Sequence, residues 1–139
     1  MSQPHPSDPA AAPVPKGTLM AGKRGVVMGV ANDRSIAWGI AQAVAAQGGE
    51  LAFTYQGEAL ERRVRPLAES IGSPLVLPCD VTDDASVDAV FANVARDWGG
   101  LDFVVHAIGF ADKNFLRGKY LDTPRAAFLQ ALDISCYSF

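Results

Sequence analysis

The stretch RGVVMGVANDRSIAWGIAQAVAAQG, residues 24–48, decides the fold. Its apolar run Val26–Met28 predicts a buried parallel strand, and Ile36, Ile40 and Val44 recur at four-residue spacing, which predicts the apolar face of a helix. A turn beginning at Gly29 joins the two elements. Such a turn exposes free backbone N–H groups and the positive end of the helix, which favours an anion site, usually for phosphate. The glycine spacing is not the plain dinucleotide fingerprint, so an ordinary strand-to-helix turn remains the alternative.

Composition and charge are those expected of a soluble metabolic protein. The chain has 139 residues, enough for one domain, and its net charge of -3 gives no electrostatic reason to expect nucleic acid or a membrane as partner. Nothing in the sequence resembles a secretory signal or a spanning segment. Cys79 and Cys136 are far apart and lack C-x-x-C spacing, so we expect reduced thiols and a cytoplasmic location.

The two ends of the chain differ from its middle. Residues 1–20 are rich in proline and alanine and predict a flexible tail, followed by one domain over 21–139. Near the other end, Thr123 is expected to cap a helix that has Pro124 at its first position. No stop signal precedes Phe139, so either this helix frays or the chain is the front part of a longer protein.

Strand and helix patterns alternate along the domain. Beyond the first unit, the predicted strands are 50–55, 75–77 and 101–106, and the predicted helices follow Gly57 and Thr82 or Asp83. Pro66 predicts a kink or split in the first of these helices. Apolar strands with short connections predict an α/β fold, a Rossmann-like doubly wound parallel sheet that contains about four strands.

In sheets of this kind the ligand lies beyond the carboxyl ends of the strands. The four exits are Gly29-Val30, Tyr55-Gln56, Asp80-Val81 and His106-Ala107-Ile108-Gly109. They offer a single aspartate, so an acidic metal site is not expected. His106 ends a buried strand and is expected to make a structural hydrogen bond rather than to act as a base.

Several of these segments are familiar as a set. The motifs G-V-A-N-D-R-S-I-A-W-G (29–39), L-A-F-T-Y-Q (51–56), L-P-C-D-V (77–81), V-H-A-I-G-F (105–110) and I-S-C-Y-S-F (134–139) resemble the NADH-dependent enoyl-[acyl-carrier-protein] reductases of bacterial fatty acid synthesis. These enzymes are a divergent branch of the short-chain dehydrogenase/reductase superfamily. The resemblance covers about residues 20–139, roughly the first half of the family's length.

The resemblance implies a binding site for NAD. Gly29 would let the backbone approach the pyrophosphate, which Ser35 and Ile36 would hold; a plain N-cap is the alternative for Ser35. Asp80 and Val81 would contact the adenine, although Asp80 is alternatively a simple loop cap.

The same resemblance places Gln56 at the adenosine ribose, where many relatives have an acidic residue. It favours NADH, while Arg62 and Arg63 keep NADPH open as the alternative. Ile108 and Gly109 would flank the nicotinamide, and Phe110 and Ala111 would border the substrate thioester.

The family's chemistry is hydride transfer to the β-carbon of an enoyl thioester on acyl carrier protein, with a Tyr-x6-Lys pair that assists. Neither this spacing nor the Tyr-x3-Lys of ordinary short-chain dehydrogenases occurs here, because no lysine follows Tyr120 or Tyr137. The resemblance thus implies that this chain lacks the catalytic residues of the family. It also implies that the full-length parent enzyme is a homotetramer. The alternatives are a relative that acts on a ketone or alcohol and a nucleotide-binding module without chemistry.

Overall fold

Four parallel strands form the centre of the molecule. The computed structural model describes residues 13–139, and in it the strand order is β3-β2-β1-β4. The strands are β1 (Arg24–Met28), β2 (Glu50–Tyr55), β3 (Leu75–Pro78) and β4 (Phe103–His106). The helices are α1 (Ile36–Ala46), α2 (Glu58–Ser70), α3 (Asp84–Trp98) and α4 (Arg125–Leu132), with a π-helical turn over Asp133–Tyr137.

The sheet is buried on both faces, as the apolar strands predict. Val27 and Phe53 face one side, where α1 and α2 cover them, and Val26 and Ala52 face the other side, where α3 packs. Every pair of neighbouring strands is hydrogen-bonded in the parallel direction. The predicted doubly wound α/β architecture is therefore confirmed, with the fourth strand beginning at Phe103 rather than at residue 101.

The apolar face predicted for α1 is wrong at its first residue. Ile36 is 81% exposed, whereas Ala37, Trp38 and Ala41 are buried. The ring of Trp38 packs against Phe53 with centroids 6.2 Å apart. The large indole has more apolar surface to bury than isoleucine, and the two alanines let the helix approach the sheet, so the helix turns this side inward.

The ends of the other helices agree in part with the sequence pattern. Asp83 caps α3, since its carboxylate accepts a hydrogen bond from the N–H of Ala85 at 3.1 Å. Pro66 lies within one continuous α2, so the helix is not split there. Pro124 flanks α4, which begins at Arg125, one residue later than predicted. No helix within residues 13–139 is long and apolar enough to cross a membrane.

Of the predicted flexible tail, residues 1–20, the part over 1–12 lies outside the residues that the structure describes. Its remaining part runs past the carboxyl end of α1. The N–H of Gly17 donates to the carbonyl of Ala46, and the N–H of Met20 donates to that of Gln47, both at 2.9 Å. The Gln47 amide in turn donates to the Pro15 carbonyl at 2.7 Å.

Candidate functional site

A cleft opens at the carboxyl ends of the four strands. Gly29 follows β1, Gln56 follows β2, Asp80 follows β3 and Ile108 follows β4, and all four residues line it. The chain proceeds outward from β1 to β3 on one side and then returns to place β4 on the other side. The cleft therefore lies where the strand order reverses, which is where ligands bind in open α/β sheets.

Gly29 allows the exits of β1 and β4 to lie close together. Its φ of 102° is in a region that favours glycine, and a Cβ built on it would lie 2.1 Å from the carbonyl oxygen of Ala107. The N–H of Ala107 donates to the Met28 carbonyl at 3.1 Å. A side chain at position 29 would separate the two strand exits and change the floor of the cleft.

The hydroxyl of Ser35 stabilises the turn that precedes α1. Its oxygen accepts hydrogen bonds from the N–H groups of Ala31 at 2.9 Å and Asn32 at 3.1 Å. Ser35 occupies the N-cap position, but its side chain makes no capping bond, so the plain N-cap interpretation is wrong for the hydroxyl. Because both lone pairs are used, the remaining function of this hydroxyl is to donate.

Ser35 and Ile36 lie beside the cleft rather than in its wall. In the first turn of α1, the N–H groups of Ile36 and Ala37 have no acceptor within the helix, whereas those of Trp38 and Gly39 donate to the Ser35 carbonyl. Together with the Ser35 hydroxyl, the free N–H groups form a set of donors at the positive end of the helix, which is an arrangement suited to an anion.

Asp80 is held by hydrogen bonds on both carboxylate oxygens. Oδ1 accepts from the N–H of Thr82 at 2.9 Å and from its hydroxyl at 2.7 Å, and Oδ2 accepts from Nε2 of Gln56 at 3.1 Å. The Thr82 hydroxyl and N–H, with a smaller contribution from Gln56, lower the pKa of Asp80 despite partial burial. Asp80 thus caps its loop, as the simpler interpretation expected, and also contacts Gln56 and lines the cleft with Val81.

The exit of β4 is held by the π-helical turn. The hydroxyl of Ser135 accepts from the N–H of Phe110 at 3.0 Å and lies 3.2 Å from the Phe110 carbonyl, to which it donates. Ile108, Gly109 and Phe110 line the cleft next to this contact. Ala111 is exposed and follows just outside it.

His106 makes the structural hydrogen bond expected of it. Its Nε2 lies 2.8 Å from the hydroxyl of Ser138, which donates to the carbonyl of Ile134 at 2.6 Å. Since that hydroxyl proton is already used, Nε2 of His106 carries the proton in this contact. The histidine links β4 to the π-helical turn and does not line the cleft.

Comparison with known proteins decides the family. The family model described as enoyl-(acyl carrier protein) reductase matches residues 29–139, which include every strand exit. The chain belongs to this family.

Relatives of the reductase family support the assignment over most of the chain. An enoyl-[acyl-carrier-protein] reductase [NADH] 2 of Rhizobium meliloti is 64% identical over 121 residues, which is 87% of this chain and 45% of that protein. A crystal structure of the reductase from Anaplasma phagocytophilum in complex with NAD is 58% identical, with a TM-score of 0.86 over 90% of this chain and 48% of the other.

A third relative is the Bacillus cereus reductase, solved with NADP+ and an indole naphthyridinone. It is 49% identical, with a TM-score of 0.85 over 87% of this chain and 48% of the other. The chain spans about half the length of the relatives it matches.

Some residues that line the cleft are not predicted as site residues from the sequence. Leu60 on α2 and Thr82 line the cleft, as does Ile134 from the π-helical turn. The sequence motif 134–139 includes Ile134, but the resemblance gives that residue no role. The signal in the sequence that could have indicated a role for this turn is its two serines, Ser135 and Ser138. Their hydroxyls join the turn to β4 and its exit.

Two of the three arginines of α2, Arg62 and Arg65, are paired within the helix. Arg62 contacts Glu58 and Arg65 contacts Glu61, each at 2.5 Å and at i,i+4 spacing. The hydrogen bond from Arg65 lowers the pKa of Glu61. The first turns of α2, next to Gln56, thus contain carboxylates as well as arginines.

Proposed function

We propose that this chain supplies the dinucleotide-binding part of an NADH-dependent enoyl-[acyl-carrier-protein] reductase of fatty acid elongation. The observation that carries the proposal is the cleft in which Gly29, Gln56, Asp80 and Ile108 meet. Its location at the strand-order reversal is typical of dinucleotide sites. The NADH-dependent name of the Rhizobium meliloti relative supports the choice of cofactor.

The pyrophosphate is assigned to the turn between β1 and α1. Gly29 has no side chain to keep the pyrophosphate away from the backbone of this turn, and the free N–H groups at the start of α1 face the anion. Ser35 would donate its hydroxyl proton, because its oxygen already accepts two N–H groups. Ile36 contributes its backbone N–H, while its exposed side chain shields the phosphates from water.

The adenosine is assigned to the exits of β2 and β3. Gln56 binds the ribose hydroxyls, Asp80 accepts a hydrogen bond from the adenine amine, and Val81 packs against the ring. Oδ2 of Asp80 is used once within the chain, so it retains a lone pair for the amine. Asp80 is ionised at neutral pH, as an aspartate ordinarily is, and the hydrogen bonds from Thr82 lower its pKa further.

The nicotinamide is assigned to the exit of β4. Ile108 and Gly109 flank it, Phe110 borders the substrate, and Ala111, just outside the cleft, contacts the enoyl thioester. When bound, NADH supplies a hydride to the β-carbon of that thioester. The residues of this chain bind and orient the cofactor, and no catalytic residue is assigned among them because the sequence contains no Tyr-x6-Lys pair.

The same proposal extends to the partners of the full-length enzyme. Its substrate is an enoyl group carried on acyl carrier protein, its location is the cytoplasm, and its assembly is a homotetramer. Neither nucleic acid nor a membrane is proposed as a partner, given the net charge of -3 and the absence of a spanning helix within residues 13–139.

The test is the oxidation of NADH by the full-length protein in the presence of a crotonyl thioester, followed by absorbance. We expect turnover well above a control without enzyme. The variant Asp80→Ala loses a charged acceptor and is expected to raise the KM for NADH about tenfold. The matched control Asp88→Asn, at an exposed position on α3, leaves KM unchanged. Reduction of a ketone instead of the enoyl thioester would contradict the proposal.

A further inference from the structure

Family members accept more than one dinucleotide, since the Bacillus cereus relative was solved with NADP+ and the Anaplasma phagocytophilum relative with NAD. The two cofactors differ only by a phosphate on the 2′-hydroxyl of the adenosine ribose. A residue that selects between them must therefore distinguish a hydroxyl, which donates, from a phosphate, which at neutral pH mainly accepts.

The contact between Asp80 and Gln56 fixes how the glutamine amide is oriented. An ionised carboxylate only accepts hydrogen bonds, so it is the amide nitrogen of Gln56 that faces Oδ2 of Asp80, at 3.1 Å. Turning the amide over would place its oxygen against the carboxylate. The amide oxygen is thus directed away from Asp80, as an acceptor.

Asp80 is itself held in the position that this contact needs. Both donors of Thr82 bond to Oδ1, at 2.9 and 2.7 Å, which leaves Oδ2 to face Gln56. The orientation of the amide therefore depends on a chain of three residues rather than on Gln56 alone.

Two of the three arginines of α2 are already paired with carboxylates. Arg62 and Arg65 are paired with Glu58 and Glu61 on the same helix. A 2′-phosphate at the exit of β2 would lie against the amide oxygen of Gln56, which directly follows β2, whereas Arg63 lies further along on α2. The residue best placed to select is then Gln56, in the orientation set by Asp80.

We propose that Asp80 is a positioning residue for cofactor selection: by fixing the amide of Gln56 with its oxygen toward the ribose, it favours the 2′-hydroxyl of NADH over the 2′-phosphate of NADPH. This inference rests on the proposed function, because it requires that Gln56 contacts the adenosine ribose. It goes further in assigning the selection to a hydrogen bond between two side chains of the protein.

The test measures dissociation constants of NADH and NADPH for the full-length protein by fluorescence titration. The readout is the ratio of the NADPH constant to the NADH constant. Loss of an adenine contact weakens both cofactors equally and leaves the ratio unchanged, so the ratio isolates the selection. We expect Asp80→Asn, whose amide permits either orientation of Gln56, to lower the ratio about tenfold. The control Asp88→Asn removes the same charge away from the cleft and leaves the ratio as it was.

A double-mutant cycle separates orientation from simple charge. In the background of Gln56→Met, which has no amide to orient, Asp80→Asn is expected to change the ratio less than about twofold. An equal change in both backgrounds would show that only the charge of Asp80 matters, and would overturn the inference. An unchanged ratio in Asp80→Asn would overturn it as well.

The single variant Gln56→Met decides the question if Asp80→Asn does not fold. It removes an acceptor from the ribose, so the ratio is expected to fall. A rise would mean that the amide nitrogen faces the phosphate, contrary to the inference. If the unsubstituted protein binds neither dinucleotide, the proposed function is refuted and the inference with it, whereas the outcomes above refute the inference alone.

Discussion

Single residues at the strand exits decide the shape of the cleft. Gly29 is the clearest case, because its positive φ and the carbonyl of Ala107 both exclude a side chain. Gly39, within α1, has no atom within 4 Å of the position that a Cβ would occupy. The two glycines therefore serve different purposes, and their substitution by alanine should have opposite effects.

We expect Gly29→Ala to lower the free energy of unfolding by about 2 kcal/mol or more, from backbone strain and the clash at the exit of β4. Gly39→Ala should raise it by up to about 1 kcal/mol, since alanine favours a helix. Urea denaturation followed by circular dichroism measures both. Equal effects of the two substitutions would show that the close approach at Gly29 does not matter for stability.

The sequence could predict residue positions better than their hydrogen bonds. That Gly29, Gln56, Asp80 and Ile108 would share a cleft followed from parallel strand ends lying at one edge. That the Ser35 hydroxyl would turn back to Ala31 and Asn32 did not, because a serine before a helix more often caps it. Local side-chain bonds depend on turn geometry that spacing alone does not specify.

Between elements, Asp102 joins the beginnings of β1 and β4. It accepts a hydrogen bond from the N–H of Arg24 at 2.8 Å and another from the Lys23 ammonium at 3.2 Å. The Arg24 N–H, followed by Lys23, lowers the pKa of Asp102 below its ordinary value of 3.8. The ionised form is favoured in the folded state, so this contribution is complete above that value and is lost as the pH falls through the lower folded pKa.

Asp102→Asn is therefore expected to make the loss of stability below about pH 4 less steep, because the carboxylate that titrates there is absent. Thermal unfolding midpoints across this range measure it. Lys23→Gln leaves the Arg24 N–H, the larger cause, in place and should reduce the steepness only in part. An identical pH profile for Asp102→Asn and the unsubstituted protein would contradict the expectation.

The π-helical turn and the exit of β4 are joined by Ser135. Ser135→Ala leaves the N–H of Phe110 without its acceptor, and loss of one hydrogen bond is expected to speed exchange of that amide about tenfold. Hydrogen exchange monitored by NMR measures the rate. The control Ser70→Ala removes a hydroxyl at an exposed position of α2 and should leave the exchange rate of the Phe110 amide unchanged. An unchanged rate in Ser135→Ala would argue against the contact between Ser135 and Phe110.

At the element scale the sequence predicted all four strands and the helices that connect them. Two details of the prediction were wrong. The buried face of α1 contains Trp38 rather than Ile36, and α2 continues through Pro66 without a break. Spacing identifies a helix, but which of two apolar stripes is buried depends on the volume available above the sheet.

For the molecule as a whole, the family and the absence of a Tyr-x6-Lys pair lead to one expectation. The 139-residue polypeptide, expressed alone, should bind NADH weakly and should not oxidise it with a crotonyl thioester, because it contains no group to assist the transfer. Fluorescence titration and the absorbance assay measure the two properties. Turnover clearly above a control without protein would contradict this expectation.

The strand order β3-β2-β1-β4 also has a consequence for biosynthesis. Of the four strands β1 is translated first, yet its neighbour β4 is complete only after residue 106. Until then, the hydrogen-bonding edge of the nascent strand is open, and a chaperone that recognises extended apolar segments would find its target there. A dinucleotide in the proposed site could not protect the nascent chain earlier, since the residues after β4 that line one side of the cleft are not yet synthesised.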